Sequence, residues 1–189
     1  MIRALIFDCF GVFYPDPVFA YMQDPLTPPE KADALHALDE QAVRGKLSKK
    51  EFIQKAALLL NKPEDDIERQ LFQRHSTNKQ LVDFVKQARN TYKTALLSNV
   101  GRDIMDGFFT SDELRELFDE VILSGNEKFA KPDPEFFILA CKRLGVMPEE
   151  TILIDDVATY CEAAKSLGMQ AICYQSFDQF SNEIHFLLQ

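Results

Sequence analysis

Ala4-Leu5-Ile6-Phe7-Asp8-Cys9-Phe10-Gly11-Val12 is the stretch whose reading decides the fold. Four apolar residues in a row, ended abruptly by a carboxylate, describe a strand buried on both faces. Comparable runs return later: Thr94 to Leu97 before Ser98-Asn99, Val121 to Leu123 before Ser124-Gly125, and Ile152 to Ile154 before Asp155-Asp156. Ala171 to Tyr174 makes a fifth. Helical patterns separate these runs, so strands alternate with helices and the sheet is parallel. The fold class is α/β, a Rossmann-like parallel sheet.

The helix signals agree with that order. Asp133 and Pro134 supply a cap and a first-turn proline, and Gly145 a stop after Leu144. Val157 to Leu167 has helical spacing and ends at Gly168, and Phe177 to Leu188 reads as a last amphipathic helix. Between the first two strands lies a strand-free segment, 15–90. Thr27 with Glu30, and Ser48 with Glu51, both read as capping boxes. Asn61-Lys62-Pro63 ends the second of these helices, Glu64 to Phe72 forms another, and Thr77 caps one more through Leu81, Phe84 and Val85. About four helices are therefore inserted into the α/β unit. The expected division is a core of 1–14 and 91–189 and a small helical cap of 15–90.

The 189 residues carry a net charge of −9, which argues against a nucleic-acid partner, since phosphate backbones are held by clustered Lys and Arg. A phosphorylated small molecule is still admissible, because a metal ion or a few cations reverse the field locally. No run of about 18 apolar residues predicts a membrane span, and the first apolar run is too short for a signal peptide. Cys9, Cys141, Cys161 and Cys173 form no CxxC pair and read as isolated buried thiols, which suits the cytoplasm. His36, His75 and His185 match no motif. The aromatics Phe19, Tyr21, Phe52, Phe72 and Phe84 read as core of the insertion. Oligomeric state is not encoded in any pattern we find.

Ligands of an open parallel sheet bind outside the carboxyl ends of its strands, where the strand order reverses. Asp8, Ser98-Asn99 and Asp155-Asp156 all fall at such ends, and Lys131 just ahead of a helix start. Three carboxylates in one cleft raise one another's pKa unless a cation sits among them. Oxygen donors of this kind suit Mg²⁺. Taken singly, each has a simpler reading: Ser98 and Asn99 as turn residues, Lys131 as a solvated charge, Asp155-Asp156 as a helix cap.

Asp8-Cys9-Phe10-Gly11-Val12, Ser98-Asn99, Lys131-Pro132-Asp133-Pro134 and Ile154-Asp155-Asp156 together resemble the four ordered motifs of the haloacid dehalogenase superfamily. The helical insertion is similar to the cap of its α-helical-cap branch. The resemblance implies that Asp8 is the nucleophile, forming an aspartyl ester or phosphate that water hydrolyses. Ser98 and the backbone N–H of Asn99 would hold the oxygens of the transferred group, and Lys131 would fix Asp8 and offset charge. Mg²⁺ would be held by Asp8, Asp156 and the backbone carbonyl of Phe10, with Asp155 in or just behind that shell. Gly11 would allow the tight turn after the strand.

One position departs from the pattern. Phosphatases of this superfamily usually carry aspartate where this chain has Phe10, to protonate the leaving group and deprotonate water. Its loss removes roughly 10²–10⁴-fold in rate, which leaves a weakened or specialised phosphatase. Tyr14 and Asp16 lie close enough in sequence to be considered as substitutes. Two other readings remain: a binding or regulatory protein on an inactive scaffold, and a metal-independent 2-haloacid dehalogenase. The latter would carry an aromatic hydroxyl at positions matching Phe10 and Phe137, and Ser and Asn in place of Asp155-Asp156.

Overall fold

The computed structural model describes residues 1–72 and 77–188. Five strands, β1 (Ala4–Phe7), β2 (Lys93–Ser98), β3 (Glu120–Leu123), β4 (Thr151–Asp155) and β5 (Gln170–Cys173), form one parallel sheet in the order β3-β2-β1-β4-β5. The α/β class read from the apolar runs is therefore the observed one. The chain winds outward from β1 through β2 to β3, then returns to β4 on the other side. Phe7 is in register with Ile154, and the Asp8 N–H continues the ladder to the Ile154 carbonyl at 2.9 Å. The carboxyl ends of β1 and β4 thus lie side by side where the strand order reverses.

Alternation along β1 splits the core in two. Leu5 and Phe7 join Leu96, Ile152, Ile154 and Ile172 on one face of the sheet, while Ala4 and Ile6 join Ala95, Leu97, Ile122 and Leu153 on the other. The second face is covered by α7 (Pro134–Leu144) and α8 (Ala158–Ser166). The first is covered by α5 (Lys79–Ala88), α6 (Ser111–Leu117) and α9 (Phe177–Leu187). Phe84 of α5 meets Phe180 of α9 edge-on at 4.9 Å between ring centres. Four helices precede α5: α1 (Pro17–Met22), α2 (Pro29–Val43), α3 (Lys49–Leu60) and α4 (Glu64–Phe72). They pack on one another in sequence.

The caps show which local signals are strong enough to prevail. Ser48 and Glu51 form the reciprocal box read from the sequence, and Asn61 ends α3 in the left-handed region at φ 54°. The box read at Thr27 is absent: α2 starts behind Pro28 with no side-chain cap, and Thr27 Oγ1 donates instead to the Tyr21 carbonyl at 3.0 Å. Asn78, not Thr77, caps α5, because the Asn78 carboxamide reaches the Leu81 N–H while the Thr77 hydroxyl is directed to Tyr14 Oη. Asp133 occupies the N-cap position of α7 without capping it, since its carboxylate serves other partners.

Phe52 and Phe72 are core as expected, but Phe19 is 56% exposed. Cys9, Cys141 and Cys161 are buried free thiols as read, whereas Cys173 is only half-buried. His36 and His185 are exposed, and His75 lies outside the described residues. No helix among the described residues is long and apolar enough to cross a membrane.

Candidate active site

Asp8 follows β1 directly, so the strand fixes its backbone at the carboxyl end of the sheet, where its side chain is buried. The turn that follows needs Gly11. Its φ is +81°, and a Cβ there would lie 2.0 Å from Asp156 Oδ2. The glycine therefore lets the first turn and the Asp156 carboxylate pack against each other. The Gly11 N–H closes the turn on the Tyr14 carbonyl at 2.6 Å.

Asp8, Asp155 and Asp156 each bring one carboxylate oxygen to within 4.8 Å of the others. Lys131 enters from the loop before α7 with its side chain fully buried. Its Nζ lies 2.5 Å from Asp155 Oδ2 and 2.9 Å from Asp8 Oδ1. The contact to Asp8 is an ion pair without hydrogen-bonding alignment, so Asp8 Oδ1 is buried with no hydrogen-bond partner among the described residues. Asp155 is better satisfied, with Oδ1 accepting from the Val157 N–H at 3.0 Å and Oδ2 from Lys131.

The electrostatics follow from this count of charges. Burial, with the Asp155 charge adding to it against the pull of Lys131, raises the Asp8 carboxyl to about 7. Burial and Asp155 raise Asp156 to about 6. Burial alone would depress Lys131, but Asp155 and Asp8 more than offset it and hold the ammonium well above its usual range. Three carboxylates against one lysine leave surplus negative charge. The donor set fits Mg²⁺: all-oxygen, with one buried oxygen unsatisfied and with Asp156 open to solvent. An octahedral shell with ligands at about 2.0–2.1 Å places its oxygens roughly 3–4 Å apart, so the carboxylates need close in only slightly.

Ser98 ends β2 and is buried beside the cluster, and Asn99 follows it. The Asn99 side chain is already committed. Its Oδ1 accepts from the Lys131 N–H and its Nδ2 donates to the Lys131 carbonyl, both at 2.7 Å. Asn99 thus clamps the backbone of the lysine, a role its position in the sequence does not reveal.

Phe10 points away from any acid–base task. Its ring stands edge-on against Phe108, 4.7 Å between centres, and its backbone pairs with Tyr14 across the turn. The two substitutes considered for it both have local partners, and burial raises the Asp16 carboxyl above its usual range while its charge is felt at Asp156. The Tyr14 hydroxyl is buried and donates to the Phe108 carbonyl at 2.7 Å, and an Asp16 oxygen caps α1 by accepting from the Phe19 N–H.

Three nearby residues escaped the sequence reading. Tyr160 of α8 lies under Lys131, with Nζ 5.2 Å from its ring centre, and its hydroxyl meets Asn99 Nδ2 at 3.3 Å. Asp39 of α2 is raised to about 7 by burial, then by the charges of Asp16 and Glu40. Arg44 reaches across to Asp133 in the loop of Lys131. They lie on α8, on α2 and just past the end of α2, elements whose facing is set by tertiary packing and not by a motif. A cavity of about 980 Å³ opens at the opposite end of the sheet, lined by Arg3, Arg89 and Lys93 among others. It contains none of the carboxylates discussed above, which leaves the strand-end cluster as the candidate site.

The chain is thus an α/β protein whose doubly wound parallel sheet gathers one lysine and three carboxylates at its switch point. The chain belongs to the haloacid dehalogenase-like hydrolase family, whose family model matches residues 2–168. It is 34% identical over 95 residues to a phosphorylated carbohydrates phosphatase of Thermotoga maritima, and 30% identical over 92 residues to a fructose-1-phosphate phosphatase of Escherichia coli. Those matches cover 50% and 49% of this chain, and 43% and 49% of the relatives, so the match spans about half the length of each. The fold is shared almost end to end with an HAD family enzyme of Bacteroides thetaiotaomicron solved with magnesium and inorganic phosphate. The TM-score is 0.77 and the identity 22%, over 97% of this chain and 99% of that one. An L-2-haloacid dehalogenase of Xanthobacter autotrophicus matches with TM-score 0.67 and 19% identity, over 98% and 83%.

Proposed function

We propose that this protein is a Mg²⁺-dependent phosphatase of small phosphorylated metabolites that works through an aspartyl-phosphate on Asp8, slowed or specialised by Phe10. The observation that carries the reading is the buried Asp8–Lys131–Asp155 ion-pair chain with Asp156 at its open side. The phosphatases among its relatives and the magnesium–phosphate complex of a structural neighbour support the same chemistry.

Asp8 would attack phosphorus, displacing the substrate alkoxide and leaving the phosphoryl group on its carboxylate. Water would then attack that phosphorus, releasing inorganic phosphate and restoring Asp8. Asp8, Asp156 and the Phe10 carbonyl would hold Mg²⁺, with Asp155 behind them. When bound, the ion supplies positive charge to the carboxylate and phosphoryl oxygens. Lys131 holds the Asp8 carboxylate in place and offsets charge on the transferring group. Ser98 and the Asn99 N–H would bind the phosphoryl oxygens. With Phe10 in place of the usual aspartate, substrates with acidic leaving groups are favoured.

We take the helical segment as a cap over this site, on the division 1–14 and 91–189 for the core and 15–90 for the cap. One refinement is offered: α5 packs against α6 and α9 and acts as the crossover helix of the sheet, so the cap proper is α1 to α4. We place the activity in the cytoplasm, where the four free thiols stay reduced.

Assay of a panel of phosphomonoesters, including p-nitrophenyl phosphate, tests the reading. Mg²⁺-dependent release of phosphate, abolished in Asp8→Asn, is the expected result. Silence of both the wild type and Phe10→Asp across the panel would replace it with the binding reading. Metal-free halide release from a 2-haloacid would replace it with the dehalogenase one.

A further inference from the structure

We propose that Arg44, in the helical insertion, is a positioning residue: through Asp133 it holds the turn that carries Lys131 and thereby sets the Lys131–Asp8 pair. The inference rests on the phosphatase reading for its kinetic consequence, and on the geometry alone for its structural one.

The turn of Lys131 is gripped from two sides. On one side is Asn99, whose carboxamide takes both the N–H and the carbonyl of Lys131. On the other is Asp133, whose Oδ2 accepts from the Ala130 N–H at 3.1 Å while its own N–H donates to the Ala130 carbonyl at 2.7 Å. Asp133 sits at the N-cap of α7, where an aspartate ordinarily accepts from the first helical turn. It forgoes that bond, and the same Oδ2 accepts from Arg44 Nη1 at 2.8 Å. The guanidinium therefore holds the carboxylate in the orientation that closes the Lys131 turn, and against the opposing effect of burial the Ala130 N–H, then Arg44, keep the Asp133 carboxyl below its usual range.

Arg44 can do this because its own backbone is anchored to the core. The Ser124 hydroxyl donates to the Val43 carbonyl at 2.7 Å and accepts from the Val100 N–H at 3.0 Å. The Gly45 carbonyl accepts from the Arg102 guanidinium. Gly45 and Gly125 meet so closely that a Cβ on Gly45 would lie 2.6 Å from the Gly125 carbonyl oxygen. The end of α2 is thus tied to the loops after β2 and β3, and Arg44 adds the third tie, to the loop of Lys131. An exposed ion pair of this kind contributes little to folding stability. A displacement of the reacting groups on the order of 1 Å, by contrast, costs about 10²-fold in rate.

Arg44→Ala, Arg44→Lys and Asp133→Asn would be compared in the full chain by steady-state kinetics on p-nitrophenyl phosphate with Mg²⁺. Amide hydrogen exchange at Ala130, Lys131 and Asp133 would be followed in parallel. We expect Arg44→Ala to lower kcat about tenfold or more with KM within about threefold, and to speed exchange at those amides but not in β1 or β4. Arg44→Lys should recover part of both. Arg44→Ala with Asp133→Asn should fall no further than either alone. Unchanged exchange in Arg44→Ala overturns the proposal, whatever the kinetics, and so does faster exchange with unchanged kcat. Should the wild type turn over no phosphoester, the phosphatase reading fails by itself, and exchange alone decides the structural claim.

Discussion

Asp8 and Phe10 lie two residues apart on one turn and place opposite demands on the chemistry. Asp8 has the ion pair with Lys131 and the metal-type neighbours that its proposed role as nucleophile would use. Phe10 has an aromatic contact where an acid–base group would be useful. Replacing it restores that group: Phe10→Asp should raise kcat by about 10²-fold on ordinary alkyl phosphates and on p-nitrophenyl phosphate alike, in the latter case through hydrolysis of the phosphoryl-enzyme alone, since its leaving group needs no proton. Steady-state rates on the two substrates, wild type against variant, check this. The lost edge-on contact with Phe108 should cost about 0.5–1.5 kcal/mol of stability. At this scale the sequence was legible where a strand stops on a polar residue, which is how Asp8, Ser98, Asp155 and Asp156 stand out. It was not legible for Arg44, whose partner Asp133 lies 89 residues away. Nor did it show that the Asn99 side chain grips Lys131, because that grip exists only once β2 and the loop before α7 are adjacent.

Elements were easiest to read where local chemistry is complete within a few residues. Both halves of the Ser48–Glu51 box lie inside one turn, and the box forms. Thr27 had the same letters but lost its hydroxyl to Tyr21, and Asp133 lost its carboxylate to Arg44. Tertiary partners outbid a cap that only a few atoms enforce. Ser48→Ala should therefore lower stability by about 1 kcal/mol, a fall in melting temperature of roughly 2–4 °C at this chain length, measurable by thermal denaturation. Gly11→Ala is a harsher test of the first turn. It combines a strained φ with a Cβ driven into the Asp156 carboxylate, and should weaken Mg²⁺ binding by calorimetry well beyond its effect on melting.

Across the whole molecule the site makes an unusual claim on pH. Asp8 and Asp39 are raised to about 7 and Asp156 to about 6, against about 3.9 in the unfolded chain. The metal-free fold thus binds protons more tightly than the unfolded chain does. Its stability is greatest below about pH 4 on their account and falls as pH rises toward 7. The depressed groups Glu51, Asp133 and Glu150 act the other way, their contribution being lost only as pH falls below about 4. Melting curves from pH 4 to 8 should show the decline. Mg²⁺ should remove the share due to Asp8 and Asp156, and Asp39→Asn a further share that Mg²⁺ leaves untouched. The α/β order was legible at this scale because buried parallel strands read as continuous apolar runs. How the insertion sits on the core was not, since it depends on close backbone contacts such as Gly45 against Gly125.

Without an acid–base residue at position 10, activation of the water in the second half of the proposed reaction suffers along with protonation of the leaving group. A good leaving group spares only the first half, so the phosphoryl-enzyme should accumulate. Acid quench during turnover of p-nitrophenyl phosphate with Mg²⁺, followed by peptide mass spectrometry, tests this directly. The account predicts phosphate on Asp8 in the wild type, less of it in Phe10→Asp, and none in Asp8→Asn. Phosphate on another residue, or steady turnover that survives Asp8→Asn, would contradict it.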